Sequence, residues 1–240
     1  MSAQDRIIDI MRFFRVKRPI NIPMVRIGRN CDGGYVLCDH FKGIDAVISI
    51  GIEDEVSFDY QLAEKGMIIY QFDHTVDGPP VNHQNFRFHK LAWTPQTSSG
   101  SVSLADILSK NEIAFHKDML LKFDVEWSEW NNLADLPVEL FSKFRMIVGE
   151  FHGLTEAIRP EIHAIYRRVF EKLTKNHTVI HIHANNSPGL TVTENVAMPD
   201  LLEITFCRND DIQFYDYTGP LPCELDYQND YDKSNIILRV

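Results

Sequence analysis

Short apolar runs that end in glycine or in an acidic residue recur along the chain. Residues 46–51, 67–73, 120–125 and 146–150 form such runs, and residues 86–92 alternate between apolar and polar side chains. Runs of this length and pattern are typical of β-strands, and near-continuous apolar character is typical of strands buried on both faces. The pattern therefore predicts five strands between residues 46 and 150.

Helical spacing appears between several of these runs. Residues 56–65 show it after the first run, and from residue 155 the positions Ile158, Ile162, Ile165 and Val169 recur at steps of three or four. Two further strands are predicted at 178–183 and 201–207. Strands that alternate with helices favour an α/β fold, here a seven-stranded, mostly parallel sheet with helices on both faces. The two late strands, close together, predict a terminal antiparallel hairpin.

The chain reads as a single domain of 240 residues. An N-terminal extension (1–44) precedes the α/β core (45–210), and a C-terminal tail (211–240) rich in Pro, Asp, Tyr and Asn follows it. No repeat, low-complexity tract or linker divides these parts.

Charge and composition exclude several classes of protein. The net charge of −10 argues against nucleic acid or an anionic membrane as the main partner. No apolar run approaches the length of about 18 residues that a spanning helix needs, and the N-terminus lacks the apolar stretch of a signal peptide. Four cysteines without a CxxC pairing predict free thiols in a reducing compartment. A cytoplasmic protein without a membrane span is the expectation.

The loop after the first strand is the first candidate for chemistry. Gly51 allows a tight turn under a ligand, and the following helix offers free N–H groups. The acidic run from Glu53 to Glu55 would repel a pyrophosphate and would suit a cationic ligand such as an ammonium or a sulfonium group. The alternative is a plain strand-to-helix turn whose acids complement the helix dipole.

Two further features extend this candidate site. Asp73 ends the second strand about 20 residues after Gly51, a position where an acid commonly accepts hydrogen bonds from ribose hydroxyls. Asp32 and Gly33 form a turn ahead of the sheet that would fold over the edge of the ligand. The alternatives are a helix cap or turn role for Asp73 and an ordinary turn at Asp32.

Acidic residues also follow the fourth and fifth strands. Asp124 and Glu126 come after one, and Glu150 and His152 after the other. Such side chains can share Mg²⁺ or Mn²⁺, or they can position and deprotonate a hydroxyl. The alternative for the first pair is a solvated loop, with Trp127 and Trp130 anchoring the core.

A pair of histidines lies on the sixth predicted strand. His181 and His183 share one face of it, and Asn185 and Asn186 follow. A hydrogen-bonded core role competes with metal binding for both rings. His183 lies nearer the carboxyl end of the strand and is the better catalytic candidate.

Together these motifs resemble the FkbM-type methyltransferases. The most specific piece is Lys-Phe-Asp-Val-Glu (122–126) with Glu129, which matches the K-(apolar)-D-(apolar)-E-x-x-E signature of that family. The segments Asp-Gly-Gly-Tyr (32–35), Ser-Ile-Gly-Ile-Glu-Asp-Glu-Val-Ser-Phe (49–58), Phe-Asp-His-Thr (72–75) and His-Ile-His-Ala-Asn-Asn (181–186) resemble a methyltransferase-like subgroup. The resemblance covers roughly residues 25 to 210.

This resemblance implies a Rossmann-like class I methyltransferase fold and S-adenosylmethionine as cofactor. Its implied cofactor-binding residues are Gly51, Glu53, Asp73, His74, Asp32 and Gly33, and its implied catalytic residues are Asp124, Glu126 and His183. The implied reaction is O-methylation of a hydroxyl of a sugar, a nucleotide sugar or a polysaccharide precursor. By analogy with other O-methyltransferases, Asp124, Glu150 and His152 are candidate ligands for Mg²⁺ or Mn²⁺.

Two departures from the family pattern affect these expectations. Trp127 stands where the family usually has glycine, which predicts a narrower pocket beside Glu126, and the first loop lacks a second glycine. Two other functions stay open. One is a metal-dependent hydrolase that uses Asp124, Glu150, His152, His181 and His183, and the other is a binding module for an adenosyl ligand without turnover. The sequence indicates neither the small-molecule or glycan acceptor nor the oligomeric state.

Overall fold

The computed structural model describes residues 1–209 and 212–238. Its α-helices are α1 (Ala3–Met11), α2 (Ser57–Glu64), α3 (Leu104–Ser109), α4 (Asn111–Ala114), α5 (Glu129–Asp135) and α6 (Pro160–Thr174). Its strands are β1 (Lys17–Pro19), β2 (Met24–Ile27), β3 (Tyr35–Cys38), β4 (Ala46–Ile50), β5 (Ile68–Phe72), β6 (Phe86–His89), β7 (Ala92–Trp93), β8 (Ser101–Val102), β9 (Met119–Phe123), β10 (Phe144–Phe151), β11 (His177–Ala184), β12 (Leu190–Thr193), β13 (Val196–Pro199), β14 (Leu202–Arg208) and β15 (Phe214–Asp216). Short 3₁₀ helices cover Arg12–Phe14, Val138–Lys143 and Leu154–Ile158.

A seven-stranded mixed sheet organises the molecule, in the order β6-β5-β4-β9-β10-β14-β11. The four pairings from β6 to β10 are parallel, and β14 runs antiparallel to both β10 and β11. The predicted seven-stranded, mostly parallel sheet is therefore confirmed. The late antiparallel pair is also present, but β14 lies between β10 and β11, and the small hairpin β12–β13 separates the two strands along the chain.

Strand alternation divides the core between the two faces of the sheet. Along β4, Ala46, Ile48 and Ile50 face a cluster that includes α1, α3, α5 and α6. Val47 faces the opposite cluster, which α2 and the hairpin β2–β3 cover. One face of the sheet is therefore covered mainly by helices, and the other is covered by a helix together with a β-hairpin supplied by the N-terminal extension.

The helix boundaries follow ordinary start signals. Ser103 caps α3 by accepting a hydrogen bond from the N–H of Asp106 at 3.1 Å. The helix expected from residue 155 is interrupted: a 3₁₀ turn ends at Ile158, and α6 begins at Pro160. Proline is favourable at the first helical position, where its missing N–H would have no partner within the helix.

The tail lies against the carboxyl edge of the sheet. The side-chain amide of Asn186 donates to the carbonyls of Asp230 and Lys233, and it accepts from the N–H of Asp230. The predicted boundary between core and tail, at residues 210 and 211, lies outside the described residues, as do Arg239 and Val240. Within the described ranges, no helix has the length and apolar character needed to cross a membrane.

Candidate functional site

A cavity of about 530 Å³ opens at the carboxyl ends of β4, β5 and β9. Gly51, Asp73 and Asp124 directly follow these three strands and line it. Parallel strands end at the same edge of a sheet, so residues far apart in sequence meet there. This is where open α/β sheets bind their ligands.

Gly51 lines the cavity at a close approach between the ends of β4 and β9. Its φ angle is +75°, and a Cβ atom built on it would lie 1.7 Å from the carbonyl oxygen of Asp124. Its N–H donates to the carbonyl of Phe72 at 2.9 Å, and the N–H of Asp124 donates to the carbonyl of Ile50 at 3.0 Å. Only glycine fits between these hydrogen-bonded strand ends.

Asp73 braces the loop that follows Gly51. One carboxylate oxygen accepts from the N–H groups of Ile52 at 2.8 Å and Glu53 at 3.0 Å, and the other from the N–H and hydroxyl of Thr75 at 2.7 and 2.6 Å. Burial raises the pKa of Asp73, but these hydrogen bonds outweigh it and the pKa is lowered. Both oxygens are satisfied by the chain itself, so the ribose contact predicted for Asp73 stays a prediction.

The cavity wall is strongly acidic. Eight carboxylate residues line it, against two basic residues, Arg29 and Lys122. Lys122 is buried, and its ammonium group donates to the carbonyl of Gly51. Apolar side chains complete the wall: Ile50, Ile52, Phe58, Phe72, Leu91, Ala92, Trp93 and Val125. Such a cavity favours a ligand with a positive charge and an apolar body over a phosphate.

His152 lies beside this wall, among four carboxylates. Its Nδ1 atom is 3.2 Å from Oε1 of the fully buried Glu129, which also accepts the backbone N–H of His152 at 2.7 Å. Its Nε2 atom faces Glu150 at 3.6 Å, Glu126 at 3.7 Å and Asp124 at 4.0 Å. Glu129 therefore fixes the orientation of the ring and directs Nε2 toward the acids.

The sheet places a second group of polar side chains next to the first. Across β10, β14 and β11, Glu150 is paired with Glu203 and Glu203 with His183, so the three form one row on one face. Nδ1 of His183 is 3.1 Å from Oε2 of Glu203. The side-chain amide of Asn229, from the tail, donates to Glu203 at 2.6 Å and to Asp32 at 3.1 Å.

Burial and mutual repulsion set the charge states of this cluster. Burial raises the pKa of Glu150 well above its usual range, and the charges of Asp124, Glu203 and Asp32 raise it further. Burial also raises the pKa of Asp124, although Lys122 opposes the effect. The cluster is therefore short of positive charge.

The histidines respond in the opposite sense. Burial lowers the pKa of His152, but Glu129 and the neighbouring acids outweigh it and the pKa is raised. The same holds for His183 beside Glu203. Both rings favour the protonated form more than an exposed histidine does.

Tyr35 is a buried residue of this site. It is 1% exposed and lines the cavity, and its hydroxyl has no hydrogen-bond partner among the described residues. Burial raises the pKa of Tyr35 well above its usual value, and the charges of Glu150, Asp124, Glu203 and Asp32 add to the effect.

The structure brings most of the predicted site residues together. Those that line the cavity are Asp32, Gly33, Gly51, Glu53, Asp73, His74, Asp124 and Glu126. Glu150, His152 and His183 do not line it: Glu150 and His183 belong to the buried row with Glu203, and His152 is buried beside Glu129. The three predicted metal ligands, Asp124, Glu150 and His152, have donor atoms within 4.8 Å of one another. His183 reaches the site only through Glu203.

Trp127 and Trp130 have different roles in the structure. Trp127 is 49% exposed and does not line the cavity, so the structure does not support a narrowing of the pocket by its ring. Its φ angle is +75°, in the region that favours glycine, and its ring covers Gly153. Trp130 is buried as expected for a core anchor, and its indole N–H donates to the carbonyl of His152 at 2.8 Å.

His181 does not join the site. Nδ1 of His181 is 3.1 Å from a guanidinium nitrogen of Arg18, and its Nε2 atom is 2.7 Å from Asp226. Arginine can only donate, so Nδ1 accepts and Nε2 donates to the carboxylate. Both ring nitrogens are therefore hydrogen-bonded, as the alternative interpretation of His181 as a core histidine expects.

Sequence reasoning missed five residues of the site: Tyr35, Lys122, Glu129, Glu203 and Asn229. Lys122 and Glu203 each interrupt an apolar strand, and a charged residue inside a buried strand was a usable signal. Glu129 belongs to the signature of the resemblance but was assigned no role. Asn229 carried no local signal, because only the path of the tail brings it to Glu203.

Comparisons with known proteins add no assignment to this geometry. No protein-family model matches the chain, and no curated protein matches it.

Proposed function

We propose that the protein is an S-adenosylmethionine-dependent O-methyltransferase that acts on a hydroxyl of a sugar or a sugar-containing small molecule. The observation that carries the proposal is the convergence of the signature residues. Lys122 contacts the carbonyl of Gly51, Asp124 and Glu126 line the cavity, and Glu129 orients His152. Every polar residue of the signature therefore serves the same cavity and its adjoining cluster.

The sheet supports the proposed fold class. Its order, with a single antiparallel strand inserted between the fifth parallel strand and the last one, agrees with the Rossmann-like class I methyltransferase fold that the resemblance implies. This likeness of fold raises the expectation of the activity, but the chemistry depends on the site.

The acidic lining and the apolar wall of the cavity support this choice of cofactor. Phe72, Leu91 and Trp93 offer an apolar wall to an adenine ring, and the acidic residues around Glu53 face the cationic end of the molecule. The cofactor supplies, when bound, a methyl group activated by the positive sulfur to which it is attached. Residues of this chain align the acceptor hydroxyl and hold water away, which is where proximity contributes to the rate.

Removal of the proton from the acceptor hydroxyl is the proposed role of the cluster around His152. Nε2 of His152 faces Asp124, Glu126 and Glu150, while Glu129 holds the other side of the ring. In the deprotonated ring this atom accepts a proton or binds a cation. The buried Oε1 atom of Glu150 has no hydrogen-bond partner among the described residues, so the donor set fits Mg²⁺ or Mn²⁺ held by Asp124, Glu150 and His152. Positive charge at that position lowers the pKa of a neighbouring hydroxyl.

A metal-dependent hydrolase is the second candidate, because the same acids surround His152. It loses one of its proposed ligands, since both nitrogens of His181 are engaged by Arg18 and Asp226. The hydrolase hypothesis also leaves the apolar wall of the cavity without a proposed role. The acidic cluster alone favours it.

Calorimetric titration with S-adenosylhomocysteine and S-adenosylmethionine, with and without Mn²⁺, tests the proposal. We expect micromolar binding by the wild type and by Asp124→Asn, and transfer of a labelled methyl group to a panel of sugars and nucleotide sugars by the wild type only. Glu224→Gln, an exposed change in the tail, is the matched control and keeps both properties. Absence of binding to either compound under all metal conditions refutes the methyltransferase. Hydrolysis of a nitrophenyl phosphate that depends on Mn²⁺ and on Asp124 would then support the hydrolase.

A further inference from the structure

We propose a second divalent-cation site, formed by Asp32, Glu150 and Glu203, in which the side-chain amide of the tail residue Asn229 positions Asp32 and Glu203 through hydrogen bonds. It shares Glu150 with the first group, so that Glu150 bridges two cations. The inference goes beyond the proposed methyl transfer and does not depend on the methyl donor. It rests on the placement of oxygen atoms from three separate parts of the chain.

The sheet and the N-terminal extension together build the ligand set. Carboxylate oxygens of Asp32, Glu150 and Glu203 all lie within 4.8 Å of one another. Glu150 and Glu203 are direct partners across the antiparallel pair β10–β14, where facing side chains project from the same face. Asp32, in the turn before β3, brings a third carboxylate to this pair. Separations of this size suit carboxylates that converge on one ion rather than on one another.

Orphaned buried oxygen atoms provide the independent observation. Glu150 is 3% exposed, and its Oε1 atom accepts no hydrogen bond from the described part of the chain. The hydroxyl of Tyr35 and the Oδ1 atom of Asn229 are likewise buried and without a partner there. A buried polar atom without a partner costs about 1–3 kcal/mol. The unpartnered oxygen of Glu150 lies within the group of acids itself, and it indicates a missing ligand that accepts an electron pair.

The neighbouring cations do not fill this role. Arg29 approaches Asp32 at 3.9 Å but directs its short ion pair, at 2.8 Å, to Glu55. The side chain of His183 contacts Glu203 from the far side, at 3.1 Å. This contact is the second-layer hydrogen bond that commonly orients a metal-binding carboxylate.

The donor set defines the class of ion. Three carboxylates are hard oxygen donors, which favour Mg²⁺, Mn²⁺ or Ca²⁺ over softer metals. The first group shares Glu150 and adds Asp124 and His152. Two ions bridged by one carboxylate would neutralise the cluster, which the described side chains leave short of positive charge. The competing arrangement neutralises the acids with shared protons and binds one ion or none.

Counting bound Mn²⁺ distinguishes these arrangements. The full-length protein is stripped with a chelator and titrated with Mn²⁺, and free Mn²⁺ is measured by electron paramagnetic resonance. We expect two equivalents in the wild type, one in Glu203→Gln, one in Asp124→Asn, and none at the same concentrations in Glu150→Gln. The control Glu224→Gln keeps two. Spectra of the wild type at low temperature should show exchange coupling between two manganese ions, and both single-site variants should lack it.

The outcomes separate the two cation sites and the methyltransferase. One equivalent that Asp124→Asn removes and Glu203→Gln leaves unchanged overturns the second site and keeps the first. One equivalent that Glu203→Gln removes and Asp124→Asn leaves unchanged supports the second site and overturns the first. Binding of no Mn²⁺ overturns both, while binding of S-adenosylhomocysteine is measured separately and decides the methyltransferase.

A conservative variant guards against a failure to fold. If Glu203→Gln unfolds, Glu203→Asp keeps the charge and shortens the reach, and it should weaken the second equivalent at least tenfold. Unchanged affinity in a folded Glu203→Asp protein overturns the proposal. His183→Gln tests the positioning role, with an expected loss of about tenfold to a hundredfold in affinity for the second ion only.

Discussion

Replacement of Gly51 by alanine tests the close approach of two strand ends that forms the cavity floor. A Cβ atom at this position would lie 1.7 Å from the carbonyl oxygen of Asp124, whereas real Cβ contacts are longer than 3.0 Å. The two strand ends must therefore separate by well over an ångström. The hydrogen bond from the N–H of Asp124 to the carbonyl of Ile50, at 3.0 Å, joins these two strand ends and would then exceed the length of a normal hydrogen bond.

The expected loss of stability has two parts. Alanine at a φ angle of +75° costs about 1–2 kcal/mol, and loss of the hydrogen bond between Asp124 and Ile50 costs about 1 kcal/mol. The free energy of unfolding should therefore fall by about 2–3 kcal/mol, measured by urea denaturation at pH 7. Binding of S-adenosylhomocysteine should be lost under conditions where the variant is still folded.

Gly66→Ala is the matched control for this prediction. Gly66 has a φ angle of +94°, but nothing lies within 4 Å of a Cβ atom built on it. This variant should lose only the backbone part, about 1–2 kcal/mol, and should keep ligand binding. Equal destabilisation of the two variants would refute the close approach at Gly51.

Three further predictions address the charges and the backbone of the site. Glu129→Gln removes the strongest influence that raises the pKa of His152, so this pKa should fall in a ¹H–¹³C NMR titration. A raised histidine pKa stabilises the folded state below about pH 6.5, and this stability is lost as pH rises through the folded pKa. The variant should therefore lose more stability at pH 6 than at pH 9. A constant difference at the two pH values would contradict this. Asp73→Asn should lower the free energy of unfolding by about 2 kcal/mol at pH 7, measured by urea denaturation. Because the folded pKa of Asp73 is lowered, this difference should be present above about pH 3.9 and should disappear as pH falls through the folded pKa. Trp127→Gly should be more stable than Trp127→Ala by about 1 kcal/mol in the same assay, since only glycine relieves the positive φ angle, and the reverse order would refute strain at this position.

Resemblance and local pattern predicted the lining of the cavity better than the cluster behind it. Gly51, Asp73 and Asp124 were recognised because a strand end in an α/β protein is visible as the end of an apolar run. His183 was placed on the correct edge, but its contact with Glu203 depends on pairing between β11 and β14. Strand order is not written in the local sequence, so the row that links His183 to Glu150 could not be predicted.

Asp73 and Trp127 show the same limit at the level of single contacts. An acid after a strand predicts a ligand contact and a loop brace equally well, and only the positions of the Ile52 and Glu53 N–H groups distinguish them. Trp127 was expected to narrow the pocket, but its positive φ angle turns the ring over Gly153 instead. Side-chain direction follows from backbone angles that the residue type does not determine.

The sequence by itself determined the α/β class, the seven strands, the acidic character of the site and the residues that end the central strands. These properties depend on short-range periodicity and on composition, which folding preserves. The tertiary structure decided which strand lies beside which, that Asn229 and Asp32 reach Glu203, and that Glu150 stands between two groups of ligands. The contacts of Asn229 join residues 26 and 197 positions apart, and they exist only because packing of the two sheet faces fixes the paths of the N-terminal extension and the tail.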